Sequence, residues 1–186
     1  MTLPPKSTTI KLAWGARVST DFARGVIAIC RDFGWGDQHT SWLMACMAFE
    51  SGESFSPSVR NAAGSGAVGL IQFMPATAAG LGTTVENLQL LSAESQLYYV
   101  RMYFKPYAAR IASLSDMYMA ILLPSYIGKP DDAVLFSGGV AFRQNAGLDA
   151  NRDGKITKTE ATARISAKLL RGMLPGFVAD YAGSVN

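Results

Sequence analysis

The stretch MACMAFESGESF, residues 44–55, ends an almost unbroken apolar run with one carboxylate, Glu50, shortly before a glycine. Trp42, Cys46 and Phe49 recur at helical spacing, and a glycine is a typical C-terminal stop. The stretch therefore predicts a largely buried helix that carries Glu50 in its last turn. Burial and the negative end of the helix dipole both disfavour the charged form, so we expect the pKa of Glu50 to be raised.

A carboxyl group that stays protonated near neutral pH can donate a proton to a leaving oxygen, which is what cleavage of a glycosidic bond requires. The ordinary alternative is an exposed glutamate on a final helical turn, and the segment FESG on its own favours that alternative. Glu53 is a competing acid, although it follows the helix stop in a turn. Glu50 therefore becomes a candidate catalytic acid only together with other motifs.

Helical patterns dominate the rest of the chain and predict a mainly α protein of the α+β class. The other segments with this periodicity are residues 21–33, 93–104, 115–123 and 158–174. Ser92 and either Ser115 or Asp116 are predicted N-caps, and Pro75 is predicted to open a helix. The segment VGLIQF, residues 68–73, predicts a short strand, which would supply a small β-region between the helices.

Length and composition favour one domain over residues 1–186, with residues 1–20 as an N-terminal extension. With 186 residues, 49% of them hydrophobic, the chain can bury one core but is short for two. No segment has the length and apolarity of a membrane span, and early prolines argue against a cleavable signal peptide. The net charge of +3 comes from scattered Lys and Arg residues, which disfavours nucleic acid as a partner. We expect a monomer without stable membrane insertion.

The segment DANRDGKITKTE, residues 149–160, has the spacing of an EF-hand calcium loop. Its oxygen-bearing positions are filled by Asp149, Asn151, Asp153, the carbonyl of Lys155, Thr157 and Glu160. Gly154 stands where the loop must bend sharply around the cation. We predict a structural Ca²⁺ held by Asp149, Asn151, Asp153, Lys155 and Glu160, and no organic cofactor. The alternative is an Asx-rich turn that binds no metal.

Three motifs occur in an order that resembles the soluble lytic transglycosylases and goose-type lysozymes of the lysozyme-like superfamily. FESG supplies Glu50 and Ser51. GLIQFMPATA, residues 69–78, resembles the family's Gly-Leu-Met-Gln followed by Met-Pro-x-Thr-Ala. QNAG resembles its Tyr-Asn-Ala-Gly, with Gln144 in place of the tyrosine. The resemblance covers roughly residues 38–160.

The resemblance implies a lysozyme-like domain that cleaves the β-1,4 bond between N-acetylmuramic acid and N-acetylglucosamine in peptidoglycan. Glu50 would protonate the leaving oxygen. In lytic transglycosylases the same group then takes the proton of the muramic acid 6-hydroxyl as a 1,6-anhydro ring closes. No matched position supplies a second carboxylate, which favours the transglycosylase over a hydrolysing lysozyme, although Glu53, Glu86, Glu94 or Asp116 could fold nearby.

The resemblance also implies a substrate-binding set of Ser51, Gln72, Tyr118 and Asn145. Gln72 and Asn145 would hydrogen-bond sugar amides or backbone, and Ser51 would orient the acid. The change at Gln144 leaves two candidates, Phe142 and Tyr118, for the aromatic group behind the acid.

A calcium loop directly after the third motif, in a chain of this size, resembles the phage endolysins of this group. We therefore expect synthesis in the host cytoplasm and action on the cell wall or in the periplasm after release. Two other hypotheses remain. One is a non-catalytic wall-associated or virion module with the same fold, and the other is a calcium-regulated interaction protein based on residues 149–160 alone.

Overall fold

The computed structural model describes residues 8–61 and 64–183, and within these ranges the chain forms eight α-helices and two small antiparallel sheets. The helices are α1 Thr20–Asp32, α2 Asp37–Glu50, α3 Pro75–Gly80, α4 Val85–Leu90, α5 Ala93–Phe104, α6 Leu114–Leu122, α7 Gly139–Asn145 and α8 Lys158–Gly172. The strands are β1 Thr8–Leu12, β2 Val134–Ser137, β3 Lys155–Thr157 and β4 Ala179–Gly183. The predicted mainly α class is confirmed. No helix in the described ranges is long and apolar enough to cross a membrane.

Helix α2 is the centre of the fold because it is apolar on every side. Residues 43–48 are all buried, and a helix without a polar face is stable only inside a core. It packs against α1, α6, α8 and β1. The helix ends at Glu50, so this carboxyl group lies where the central helix leaves the core.

The described part of the predicted N-terminal extension is built into the fold. Strand β1 pairs with β4 from the other end of the chain. Trp14 is fully buried, and its Nε1 donates a hydrogen bond to the carbonyl of Lys168 at 2.9 Å. Residues 8–20 therefore support α8 and the core, while residues 1–7 lie outside the described residues.

The segment VGLIQF forms a tight turn, and the prediction of a strand there is wrong. Val68 and Phe73 exchange two backbone hydrogen bonds, of 3.1 and 2.8 Å. Between them, Gly69 and Gln72 adopt φ values of +79° and +54°. These left-handed conformations end an extended backbone and reverse the chain. The sheet between the helices is instead formed by β2 and β3.

Two of the predicted helix starts are confirmed and one is corrected. Ser92 caps α5, and Pro75 is the first residue of α3. Helix α6 is capped by Ser113, whose Oγ accepts the backbone N–H of Asp116 at 3.1 Å, and neither Ser115 nor Asp116 is the cap. The Asp116 side chain turns inward instead.

A buried ion pair joins α6 to α8. Lys158 Nζ donates to Asp116 Oδ1 at 2.7 Å and to the Lys129 carbonyl at 2.9 Å. Asp116 also accepts the backbone N–H of Gly128 at 2.7 Å. Burial by itself would raise the pKa of Asp116, but these hydrogen bonds hold it below its usual value. Removing one partner of such a pair leaves a buried charge without compensation.

We expect Asp116→Asn to lower the free energy of unfolding by about 3–5 kcal/mol, because Lys158 would stay buried without its counter-charge. Asp32→Asn is the matched control. Asp32 pairs with Arg101 at 2.9 Å on the surface, where an ion pair contributes about 1 kcal/mol or less. Urea unfolding at neutral pH measures both changes. Equal losses in the two variants would contradict a structural role for the buried pair.

Candidate active site

A groove with a volume of about 520 Å³ opens beside the C-terminal end of α2. Its walls come from the last turn of α2, the loop that leads into α3, the second half of α6, the end of α7 with the segment after it, and one residue of α8. Four of the five predicted catalytic and substrate-binding residues line it: Glu50, Gln72, Tyr118 and Asn145. Residues from distant parts of the sequence therefore meet around one carboxyl group.

Glu50 is partly buried in this groove, and its carboxyl group forms no hydrogen bond or ion pair with any residue that the structure describes. Burial raises the pKa of Glu50 from 4.5 to about 7, in the direction expected from the sequence. Its surroundings include the apolar side chains of Phe49 and Ile71. Desolvation is the cause of this rise, and no cation or donor among the described residues contacts the carboxyl group to oppose it.

Ser51 lies behind the groove and holds the turn that follows Glu50. It is 1% exposed; its Oγ donates to the Met47 carbonyl at 2.6 Å and accepts the backbone N–H of Phe55 at 3.0 Å. With both bonds made to backbone, this hydroxyl fixes the exit of α2. A positioning role suits this geometry, whereas direct contact with substrate would need the turn to open.

Glu53, the competing acid, is bound to α8. Its carboxylate pairs with Lys168 and, at 3.2 Å, with Arg171, both on α8. Its backbone lies in the left-handed region, with φ of +68°. Because two cations of α8 hold this carboxylate, Glu53 serves as an anchor between the turn after α2 and α8.

Gln72 lies in the turn at residues 68–73, where a strand was predicted, and it lines the groove. Its Nε2 donates to the carbonyls of Gly69 at 3.1 Å and Val59 at 3.3 Å. A non-glycine residue with φ of +54° costs conformational energy, and such residues are enriched at functional sites. These hydrogen bonds keep Gln72 in that conformation at the groove.

Gln96 on α5 supports this turn and was not predicted from the sequence. It is fully buried; its Oε1 accepts the backbone N–H of Leu70 at 2.8 Å, and its Nε2 donates to the carbonyls of Pro57 and Leu88. A Cβ at position 69 would collide with the Gln96 side chain, which explains why Gly69 is required. The signal in the sequence that could have identified Gln96 was its single amide side chain within an apolar helical stripe.

Tyr118 lines the groove from α6 and is 3% exposed. Its ring meets the Phe49 ring edge-on, with 5.8 Å between centroids. Burial, with a smaller effect from the nearby Glu50, raises the pKa of Tyr118 well above its usual value, so its hydroxyl stays protonated. Tyr103 lies close to the same wall, and its hydroxyl donates to the Ala120 carbonyl at 2.7 Å.

Asn145 and Arg164 form the opposite wall with Gln144. Asn145 Nδ2 donates to the Ala141 carbonyl at 3.0 Å within its own helix. Arg164 donates to the Gly147 carbonyl and so ties this wall to α8. Arg164 was not predicted as a groove residue, because helical spacing alone does not tell which basic residue faces a groove built by other segments. Phe142, the other candidate for the aromatic group, packs against the core.

Among the residues that the structure describes, Glu50 is the only carboxylate in the groove lining. Asp116 is held in the buried ion pair. Glu94 accepts the Ser19 hydroxyl at 2.6 Å beside the start of α1, and Glu86 is exposed on α4. None of the acids considered as a second catalytic group lies across from Glu50.

The predicted calcium loop bends at Gly154, which has φ of +80°. The Asp149 carboxylate accepts the backbone N–H groups of Asp153 and Gly154 at 3.2 and 3.0 Å, and Asn151 Oδ1 accepts that of Asp153 at 2.9 Å. Lys155 begins β3, next to the loop. In the described ranges, no three His, Cys, Asp or Glu side chains converge closely enough to form a ready metal cluster.

In the described part of the chain, one carboxylate oxygen of Glu160 has hydrogen-bond partners and the other has none. Its Oε2 accepts the backbone N–H and the hydroxyl of Thr157 at 2.9 and 2.8 Å, forming a capping box at the start of α8. These bonds, helped by the nearby N–H groups of Asn151 and Ala150, hold the pKa of Glu160 below its usual value. Its Oε1 is buried and has no hydrogen-bond partner in the described part of the chain.

Comparison with known proteins finds one family that resembles part of this chain. Residues 36–110 match the model of the family described as "Transglycosylase SLT domain". No curated protein and no solved structure matches the chain. The matched region contains Glu50, Ser51 and Gln72, and it ends before the segments that carry Tyr118 and Asn145. Over residues 36–110 the chain is thus similar to lytic transglycosylase domains of the SLT type, which act on the glycosidic bonds of peptidoglycan.

Proposed function

We propose that this protein cleaves the β-1,4 bond between N-acetylmuramic acid and N-acetylglucosamine and leaves 1,6-anhydro ends, with Glu50 as both general acid and general base. One observation carries the proposal: a lone carboxyl group with a pKa of about 7 lies in the groove, without a partner among the described residues. A hydrolase that uses two carboxylates needs a second one across the sugar. A transglycosylase needs only one.

In the first step, protonated Glu50 donates its proton to the glycosidic oxygen while the bond from that oxygen to C1 of muramic acid breaks. A pKa of about 7 leaves roughly half of the enzyme molecules protonated at pH 7. The ionised Glu50 that results is close to the positive charge developing on the sugar ring. An acid with the ordinary pKa of 4.5 would rarely hold the proton needed for this step.

In the second step, the Glu50 carboxylate accepts the proton of the 6-hydroxyl while that oxygen bonds to C1. The anhydro ring closes, and the enzyme returns to its starting protonation state. The same pKa serves both steps because it lies near the operating pH, where one group is effective as both acid and base. No water enters the products.

We further propose that Gln72, Asn145 and Tyr118 bind the glycan. The amide N–H groups of Gln72 and Asn145 donate to backbone carbonyls, which leaves their amide oxygens as acceptors for acetamido N–H groups. Tyr118 offers a protonated hydroxyl and one face of the groove. Ser51 positions Glu50 through the backbone of the following turn.

The biological setting that we propose is a phage endolysin, made as a monomer in the host cytoplasm and acting on the wall after release. Its support is the resemblance of the ordered motifs and of the calcium loop that follows them. A net charge of +3 favours approach to an anionic wall.

We also propose that Asp149, Asn151, Asp153, the Lys155 carbonyl and Glu160 hold a structural Ca²⁺. The donor set suits a hard cation, the bend at Gly154 has the required conformation, and the unsatisfied Oε1 of Glu160 lacks a compensating donor. When bound, the ion supplies the positive charge that draws these oxygens together. The loop leads directly into α8, which provides the anchors of Glu53 and the Arg164 wall of the groove.

We expect the wild-type protein to solubilise purified peptidoglycan and Glu50→Gln to lose at least about 100-fold in rate, because the amide cannot transfer the proton. Glu86→Gln is the matched control, since Glu86 is exposed on α4 away from the groove. Mass spectrometry should find muropeptides one water lighter than hydrolysed products. Full activity of Glu50→Gln would refute the assignment of the acid, and hydrated products alone would favour a lysozyme. An inert wild type supplied with calcium would favour the non-catalytic module.

The raised pKa of Glu50 also predicts a pH-dependent cost in stability. Between about pH 4.5 and 7 the folded protein retains a proton that the unfolded chain releases, so the stability contributed by this group falls as pH rises and is constant above pH 7. Glutamine carries no such charge. In urea unfolding, the free energy of unfolding of Glu50→Gln should therefore equal that of the wild type at pH 4.5. At pH 8.5 it should be higher than that of the wild type by up to about 3 kcal/mol. A difference independent of pH would contradict the buried-acid account.

Calcium should raise the midpoint of thermal unfolding of the wild type, and EDTA should reverse the effect, because a ligand that binds only the folded state stabilises it. Asp149→Asn should lose most of this shift. Asp132→Asn, an exposed aspartate outside the loop, should retain it. Thermal unfolding with and without calcium, together with calorimetric titration, measures both effects. Equal shifts in the two variants, or no calcium binding by the wild type, would show that the loop is an Asx-rich turn.

A further inference from the structure

The groove contains one cation as well as one acid. Among the described residues that line it, Glu50 and Arg164 are the only charged side chains. Arg164 is exposed and projects from α8, while its neighbours Ala161 and Ile165 are buried in the core. The guanidinium group therefore belongs to the groove surface and not to the packing of α8.

The Arg164 guanidinium has capacity to bind a ligand. It donates to the Gly147 carbonyl, and it has no ion pair with any carboxylate in the part of the chain that the structure describes. An arginine carries five N–H donors in a planar fork that matches a carboxylate. Its charge also reaches the interior of the groove: burial raises the pKa of Tyr118, and Arg164 opposes that rise in part.

The charge balance of the groove favours an anion. While Glu50 holds its catalytic proton, Arg164 is the only charge among the described lining residues. The glycan backbone consists of hydroxyl, ether and acetamido groups, which are neutral. In peptidoglycan the carboxylates are carried by the lactyl group of muramic acid or by the stem peptide attached to it. An arginine without an ion pair, in a groove whose acid is neutral, is therefore complementary to the substituent that carries the carboxylate and not to the sugar ring.

We propose that Arg164 is a specificity-determining residue that binds a carboxylate carried on the lactyl side of muramic acid and so favours anionic substrate strands. This inference rests on the proposed function, because it assigns one wall of the same groove to a part of the same substrate. Arg164 would bind the substituent while Glu50 acts on the glycosidic bond. The hydrogen bond to Gly147 holds the guanidinium group at the segment that follows Asn145, and both residues line the groove.

The test compares three soluble substrates with the wild-type protein. One consists of glycan strands with stem peptides, the second of strands stripped by an amidase so that only lactyl carboxylates remain, and the third of stripped strands whose carboxylates have been converted to neutral amides. We expect the wild type to cleave at least one carboxylate-bearing substrate about tenfold faster, in kcat/KM, than the neutral one. Which of the first two is preferred identifies the source of the carboxylate.

Arg164→Gln should bring this ratio close to one by lowering kcat/KM on the carboxylate-bearing strands more than on the neutral strands, and Arg164→Lys should retain part of the ratio as a point charge. Arg143→Gln is the matched control, because Arg143 is exposed on α7 and does not line the groove. Thermal unfolding confirms that each variant is folded.

An unchanged ratio of kcat/KM values in Arg164→Gln would overturn the inference. An equal loss of kcat/KM on all three substrates would also overturn it, because that result would show that Arg164 only holds the Gly147 segment. A wild type that cleaves all three at the same rate would also overturn the inference but leave the proposed function intact. A wild type inert on all three would overturn both.

Discussion

The proposed chemistry of this protein depends on the desolvation of one carboxyl group. Helix α2 is apolar on every side and ends at Glu50, so the group leaves the core without a charged or hydrogen-bonding partner among the described residues. Burial then raises its pKa to about 7. A nearby cation or donor would stabilise the ionised form and remove the acid. The catalytic proposal therefore depends on the absence of a cation or donor beside Glu50 among the described residues as much as on the burial of its carboxyl group.

Two acids that could compete with this group are held in ion pairs and do not line the groove. Glu53 is paired with two cations of α8, and Asp116 is paired with Lys158 where α6 meets the same helix. Both pairs attach α8 to the elements that carry the groove. One helix thus anchors the turn after Glu50, presents Arg164 and begins at the proposed calcium loop. If a calcium ion orders that loop, it acts on the groove through α8 without taking part in the chemistry.

Local patterns in the sequence predicted much of the fold. The periodicity of α2 placed Glu50 at a helix end, and Ser92 and Pro75 marked helix starts. The turn at residues 68–73 was mispredicted because its alternation of apolar residues resembles a strand, while the left-handed backbone at Gln72 depends on hydrogen bonds to other parts of the loop. Gln96 was missed for a related reason. Contacts between distant segments have no signature in local spacing.

The most direct test is to titrate the Glu50 carboxyl group itself. With glutamate labelled by carbon-13 at the side-chain carboxyl, NMR spectra across pH 3–9 should contain one resonance that titrates near pH 7 and is absent from Glu50→Gln. If every glutamate carboxyl titrates at or below the ordinary value of about 4.5, the acid is solvated and the account is wrong.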